Sequence, residues 1–176
     1  MPNILLKAVA FAAEKHKNQR RKDTQSSPYI NHPIALANLL AHEGEITNNE
    51  VLCAALLHDT IEDTQTTQAE LIEHFGVKIA SIVMEVSDNK SLSKEKRKQA
   101  QIDHTPHISL EAKLVKLADK ICNLRDVINA PPKDWSIARR VEYFDWASQV
   151  VKGVKGINPN LEEIFENLMA QVHSIK

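Results

Sequence analysis

The sequence predicts an all-α protein, a single-domain helical bundle of roughly eight to nine helices over residues 1–176. Three observations carry this. Apolar residues recur at three- and four-residue spacing along most of the chain, the period of an amphipathic helix. No segment alternates with the period of two that a half-buried strand needs. Only 4 glycines and 5% aromatic residues are present, too few for the turn-rich sheets of a sandwich or barrel. At 43% hydrophobic and 26% charged, 176 residues suffice for one domain with a real core.

Ile4, Leu5, Ala8, Val9 and Ala12 mark a first helix over residues 4–16. Residues 18–28 are basic and polar and close on Pro28, the pattern of a loop. Pro33 suits the first turn of a second helix and Gly44 its end, with Ile34, Leu36, Leu39 and Leu40 directed to the core. Thr47 and Glu50 form a capping box for a third helix, which runs through residues 56–64. Thr67 and Glu70 repeat the device for a fourth, ended by Gly76, and residues 77–86 make another apolar helix. Residues 88–104 carry many cations and little apolar content, as an exposed loop leading into a surface helix does. Ser109 caps a long helix to about Ile128, with Leu110, Leu114, Leu117, Ile121 and Leu124 on one stripe. Pro131-Pro132 stops it. Ser136 opens the next helix, through Tyr143, Trp146 and Val150 to about Lys155, and Asn158-Pro159 opens the last, which packs Leu161, Ile164, Phe165 and Leu168.

A formal charge of −1 supplies no global drive toward nucleic acid or membrane. No apolar run approaches the ~20 residues that span a bilayer. Met1-Pro2-Asn3-Ile4 lacks the layout of a signal peptide. Cys53 and Cys122 fall inside apolar helical patterns and read as buried free thiols, which suits a reducing cytoplasm. The sequence leaves the oligomeric state open.

The chemistry concentrates in residues 56–64, Leu-Leu-His-Asp-Thr-Ile-Glu-Asp-Thr. An apolar segment delivers His58 and Asp59 side by side, and Glu62 and Asp63 follow within four residues. Carboxylates this close repel unless a cation or a proton lies between them. His32 and Asp119 also sit in or beside apolar patterns. Together with His58 and Asp59 they make a mixed imidazole–carboxylate set. Such a set suits Mn²⁺, Fe²⁺ or Mg²⁺ with open positions better than a closed structural zinc. Singly, each residue has a plainer reading: His32-Pro33 as a helix entry, residues 58–63 as a solvated helix end, Asp119 as a partner of Lys116 or Lys120.

Four stretches carry a family resemblance: His16-Lys17-Asn18-Gln19-Arg20-Arg21-Lys22, Pro28-Tyr29-Ile30-Asn31-His32-Pro33, residues 54–64 and residues 112–126. They resemble the HD-domain phosphohydrolases, and within these the Rel/Spo alarmone hydrolases. The match is best to stand-alone small alarmone hydrolases similar to the metazoan SpoT homologue. The resemblance implies an HD-type bundle and a 3′-pyrophosphohydrolase that acts on guanosine 3′,5′-bis(diphosphate) and its pentaphosphate relative with Mn²⁺. It implies that His32, His58, Asp59 and Asp119 hold the metal and that Glu62 and Asp63 are the catalytic carboxylates. Arg21, Lys22, Asn123 and Tyr143 would contact the nucleotide. Asn18 stands where many bacterial relatives have glycine, and the loop after Lys22 is longer, which bears on loop shape. Synthesis of the alarmone is not expected.

In such a reaction Arg21 offers a planar fork for phosphate and Lys22 a point charge. One of Glu62 and Asp63 would activate water and the other protonate the leaving group, in an order the residues leave open. Lys90, Lys94, Lys96, Arg97 and Lys98 would form a flap over the 5′-diphosphate. Trp135 and Tyr143 could stack on a base, whereas the spacing of Trp146 predicts a core position. His16 reads as a brace for the basic loop. The alternatives are a phosphohydrolase of another ribose-phosphate nucleotide such as NADPH, or an alarmone-binding protein without activity.

Overall fold

Why the chain folds around one helix is visible in residues 51–57, seven consecutive residues without a polar face. Such a segment is stable only when covered on every side. The computed structural model describes residues 3–175; residues 1, 2 and 176, included in the expected domain, lie outside the described residues. The segment is α3 (Asn49–Leu57), and Val51 to Leu57 are all buried. Around it pack α1 (Ile4–Lys15), α2 (Asn31–Asn38), α6 (Val77–Val86) and α8 (Leu110–Asn129). Between α3 and α6 lie the single turn α4 (Thr60–Asp63) and α5 (Gln68–Phe75). The surface helix α7 (Lys94–His104) precedes α8, and α9 (Ile137–Val151) and α10 (Pro159–Met169) pack on α8 from outside. Among the described residues there is no strand, only an isolated antiparallel bridge between Arg20 and Pro28.

Most boundaries fall where the capping residues place them. Thr67 caps α5, Ser109 caps α8, Ser136 caps α9 and Asn158 caps α10, each side chain accepting a backbone N–H of the first turn. Gly76, at φ 85°, ends α5 in a conformation that favours glycine. Three expectations are corrected. Asn48, not Thr47, caps α3, accepting the Glu50 N–H at 2.8 Å; the stronger capping residue lies one position later. Ile34 and Leu110 are 42% and 58% exposed, because the buried stripes run through Leu36 in α2 and Leu40 just beyond it, and through Leu114, Leu117 and Ile121 in α8.

The third correction matters for chemistry. The helix expected to run through residues 56–64 breaks at His58–Asp59, and the single turn α4 follows as a separate element. Side chains stabilise the break. His58 Nδ1 lies 2.8 Å from the Ala55 carbonyl, and the Thr60 hydroxyl donates to the Leu57 carbonyl at 2.7 Å. These satisfy carbonyls that the interrupted helix leaves open.

Candidate active site

Three elements deliver the polar residues to one place. His32 comes from the first turn of α2, His58 and Asp59 from the break after α3, and Asp119 from the middle of α8. One ligand atom each of His32, His58 and Asp59 lie within 4.8 Å of one another. Asp119 Oδ1 lies 3.2 Å from His32 Nε2 and 3.8 Å from His58 Nε2. Both imidazoles are buried. His58 Nε2 faces Asp59 at 2.9 Å, yet has no hydrogen-bond partner of suitable direction, and His32 Nδ1 has none either. Buried polar atoms without partners are costly. Because Nδ1 of His58 is committed to a carbonyl, Nε2 is the nitrogen presented to the cluster.

The electrostatics fit a cation site. Burial opposes protonation of His58, but Asp59 and then Asp119 outweigh it and raise His58 to about 9. Burial likewise pushes Asp59 up, and His58 overrides it, holding the carboxyl below the ordinary range. Asp119 is also held low, its burial outweighed first by Lys120. The carboxylates of the cluster thus favour positive charge between them. The residues present fit a divalent ion: two imidazoles, two carboxylates and the unpartnered buried Nε2 of His58 presented to the cluster.

Neighbouring side chains hold these groups. The Tyr29 hydroxyl donates to Asp59 Oδ2. Lys120, 2% exposed, donates to Asp119 Oδ2 at 3.1 Å and lies 4.3 Å above the Trp146 ring. Asn123 donates to Asp119 Oδ1 at 2.8 Å, so in this state it supports a candidate ligand. The Asp119–Lys120 pair was legible in the sequence as the plainer reading of Asp119, and Tyr29 lies in one of the stretches that carry the family resemblance.

The two following carboxylates part company. Glu62 shares with the four candidate ligands the wall of a cavity of about 230 Å³. Burial, and then Asp59, raise it to about 7. The Asp88 N–H donates to its Oε1 at 2.6 Å and orients the carboxyl. Asp63 faces another cavity, of about 460 Å³, with Arg21 and Lys22. Arg21 is paired with Asp126 at 2.5 Å, while Lys22 is exposed. A third cavity of about 520 Å³ carries Lys90, Lys94, Arg97, Lys98 and Arg139 beside Trp135, Tyr143 and Trp146. Lys96 does not line it. Tyr143 lies in the walls of all three. Trp146 is half-buried at the site; Phe144 and Ala147 take the core positions of α9, which corrects its expected placement. His16 is buried, and its Nδ1 lies 2.7 Å from Gln19 Oε1, against the basic loop it was expected to brace.

A profile described as HD domain matches residues 8–143. The chain belongs to the HD-domain family. Among its relatives, a zebrafish (Danio rerio) HD-domain protein named guanosine-3′,5′-bis(diphosphate) 3′-pyrophosphohydrolase MESH1 is 56% identical over 168 residues, covering 96% of this chain and 93% of that one. The human (Homo sapiens) protein of the same name is 54% identical over 167 residues, covering 95% and 93%. A solved structure, described by the words "A metazoan ortholog of SpoT hydrolyzes ppGpp and plays a role in starvation responses", superposes with a TM-score of 0.94 at 43% identity, covering 97% of this chain and 96% of that one. The shared fold thus covers 97% of the chain.

Proposed function

We propose that this chain is a metal-dependent guanosine 3′,5′-bis(diphosphate) 3′-pyrophosphohydrolase, one catalytic domain over residues 1–176 that works in the cytoplasm with Mn²⁺. The observation that carries the reading is the convergence of His32, His58, Asp59 and Asp119 on one cavity with Glu62 in its wall. The names of the similar proteins point to the same reaction.

His32, His58, Asp59 and Asp119 would hold the ion. When bound, it supplies activation of water near neutral pH and charge neutralisation at phosphoryl oxygens. In the net reaction, water oxygen bonds to the phosphorus attached to the ribose 3′ oxygen and that P–O bond breaks. The products are GDP and pyrophosphate, and the water proton leaves as the 3′ oxygen gains one. Glu62, near 7 and beside the ligands, is placed to take the proton. Two cavities flank the centre, a cationic one with Lys90, Lys94, Arg97 and Lys98, and one in which Arg20, Arg21 and Lys22 stand among Asp23, Asp63 and Asp126. A substrate with a diphosphate at each end of a ribose suits that arrangement, and Trp135 and Tyr143 offer faces for a base. Asn123 and Tyr143 border the central cavity, from which they can reach the nucleotide.

The test is turnover by Mn²⁺-loaded protein of guanosine 3′,5′-bis(diphosphate), with NADPH as a comparison substrate. GDP and pyrophosphate should appear one for one. Confirmed metal occupancy with no such products would overturn the reading, and faster release of phosphate from NADPH would reassign the substrate.

A further inference from the structure

A buried ammonium without a carboxylate partner stands in the wall of the candidate metal cavity. We infer that Lys116 is a specificity-determining residue, which takes the terminal phosphoryl group of the 3′-diphosphate and so separates that substrate from a 3′-monophosphate. The inference rests on the pyrophosphohydrolase reading above.

Lys116 lies inside α8 and is 8% exposed. Its Nζ donates to the carbonyl of Val86, the last residue of α6, at 2.9 Å. An ammonium carries three N–H donors. Among the described residues Lys116 makes no second hydrogen bond and no ion pair. Asp119, one turn further along α8, is taken instead by Lys120 at 3.1 Å and by Asn123 at 2.8 Å. Glu62 accepts the Asp88 N–H, and Asp88 accepts from Gln101. Burial, and then Lys120, push Lys116 down from its ordinary value, while Asp119, Asp88 and Glu62 oppose that push without pairing with the ammonium. A buried charge with donors to spare is costly unless an anion arrives to meet it. The place of Lys116 says which anion. It lines the cavity of about 230 Å³ with the four candidate ligands and Glu62. It also lines an adjoining cavity of about 440 Å³, beside Arg97 and His104. Val86, Asp88 and Gln101 stand with it in both walls. Glu85, the other carboxylate of the second cavity, accepts the Ser109 N–H at 2.5 Å. The phosphorus that water attacks is attached to the ribose 3′ oxygen, so it belongs at the metal ligands. The second phosphoryl group must then extend past them. The adjoining cavity offers the room, and Lys116 is the cation that the two cavities share. A 3′-monophosphate has no group to place there.

The test measures equilibrium binding of two nucleotides to Mn²⁺-loaded Glu62→Gln, a background chosen to hold substrate without turnover. One is guanosine 3′,5′-bis(diphosphate), the other guanosine 5′-diphosphate 3′-monophosphate. Adding Lys116→Met removes one charged hydrogen bond, which should weaken the first about ten- to hundredfold and the second by no more than about twofold. Lys116→Gln, which keeps a donor and lacks the charge, should show the same selective loss, and it carries the comparison if Lys116→Met does not fold. Mn²⁺ content after dialysis should equal that of the parent in both. In the chain with Glu62 restored, kcat/KM for the 3′-diphosphate should fall by the factor seen in binding. Equal loss for the two nucleotides marks a merely structural lysine and overturns the inference, as does unchanged affinity for the bis(diphosphate) or failure of the parent to bind it. If the Mn²⁺-loaded wild type turns over no bis(diphosphate), the functional reading fails instead, and the ratio of the two affinities still decides the role of Lys116.

Discussion

At the scale of single residues, the site depends on side chains that leave the helical path. His58 and Thr60 bond back to the carbonyls of Ala55 and Leu57, and this frees Asp59 to turn toward Tyr29 and His58. Asp59→Ala removes the carboxylate at the centre of the cluster. It should abolish stoichiometric Mn²⁺ binding, measured by elemental analysis after dialysis, while the fold survives by circular dichroism. Glu62→Gln should retain the metal and lose most of the activity. It should also stabilise the metal-free protein, with a definite pH dependence. Glu62 titrates near 7 in the folded chain against an ordinary value of 4.5, so the folded state holds its proton more tightly. Stability is therefore fully present below about 4.5 and lost as pH rises through 7. Gln cannot ionise. The Tm of Glu62→Gln in EDTA should exceed that of the wild type at pH 8, and the difference should vanish near pH 4. An equal difference at both values would refute the buried-carboxylate account.

At the scale of elements, close packing of helix ends places the ligand-bearing helices. The last turn of α2 continues as a π-helical turn, Leu39–Glu43, and stops at Gly44. A Cβ there would stand 2.9 Å from the Leu40 carbonyl and 3.1 Å from the Leu161 side chain of α10. Asn158, the cap of α10, donates to the Gly44 carbonyl at 2.8 Å, and Arg125 of α8 forks onto Glu43 at 2.7 and 2.8 Å. Gly44 is therefore required by approach, since its φ of −85° is open to any residue. Gly44→Ala should cost about 1–3 kcal/mol of stability by overpacking. Urea unfolding monitored by circular dichroism measures this, and a change below a few tenths would show that α10 moves aside freely.

For the whole molecule, burial is uneven, and function sits on the boundary. α3 and α8 supply the largest shares of the core, whereas α7 buries nothing. Its ties are the Trp146 indole on the Lys98 carbonyl at 3.1 Å and Gln101 on Asp88 at 2.6 Å. Amide exchange should be fastest in α7 among the longer helices and slowest in α3 and α8, because opening α7 exposes no core. Exchange in α7 as slow as in α8 would contradict that reading. Leu57→Ala, at a fully buried position of α3, should cost about 2–5 kcal/mol and lower the global transition.

Much of this was legible before any coordinates. Helical periodicity and capping residues located nearly every element, because both are local properties of the chain. The candidate ligands His32, His58, Asp59 and Asp119 were legible as polar residues embedded in apolar patterns, and the family resemblance joined them. Less legible were the supports. Tyr29 and Gln19 have no local pattern that separates them from ordinary surface residues, and Trp146 misled because helical spacing alone does not say whether a neighbour covers that face.

By itself, the sequence determined the all-α class, the central burial of residues 51–57 and the chemical types available to the site. Only the tertiary structure decided which of those types meet. His32 and Asp119 are 87 residues apart, and their 3.2 Å contact depends on how α2 and α8 pack against each other. Glu62 and Asp63 are chemically near-identical in sequence. The backbone break at His58–Asp59 sets the turn that sends one to the ligand cavity and the other to the rim, since side-chain direction follows backbone path rather than residue type.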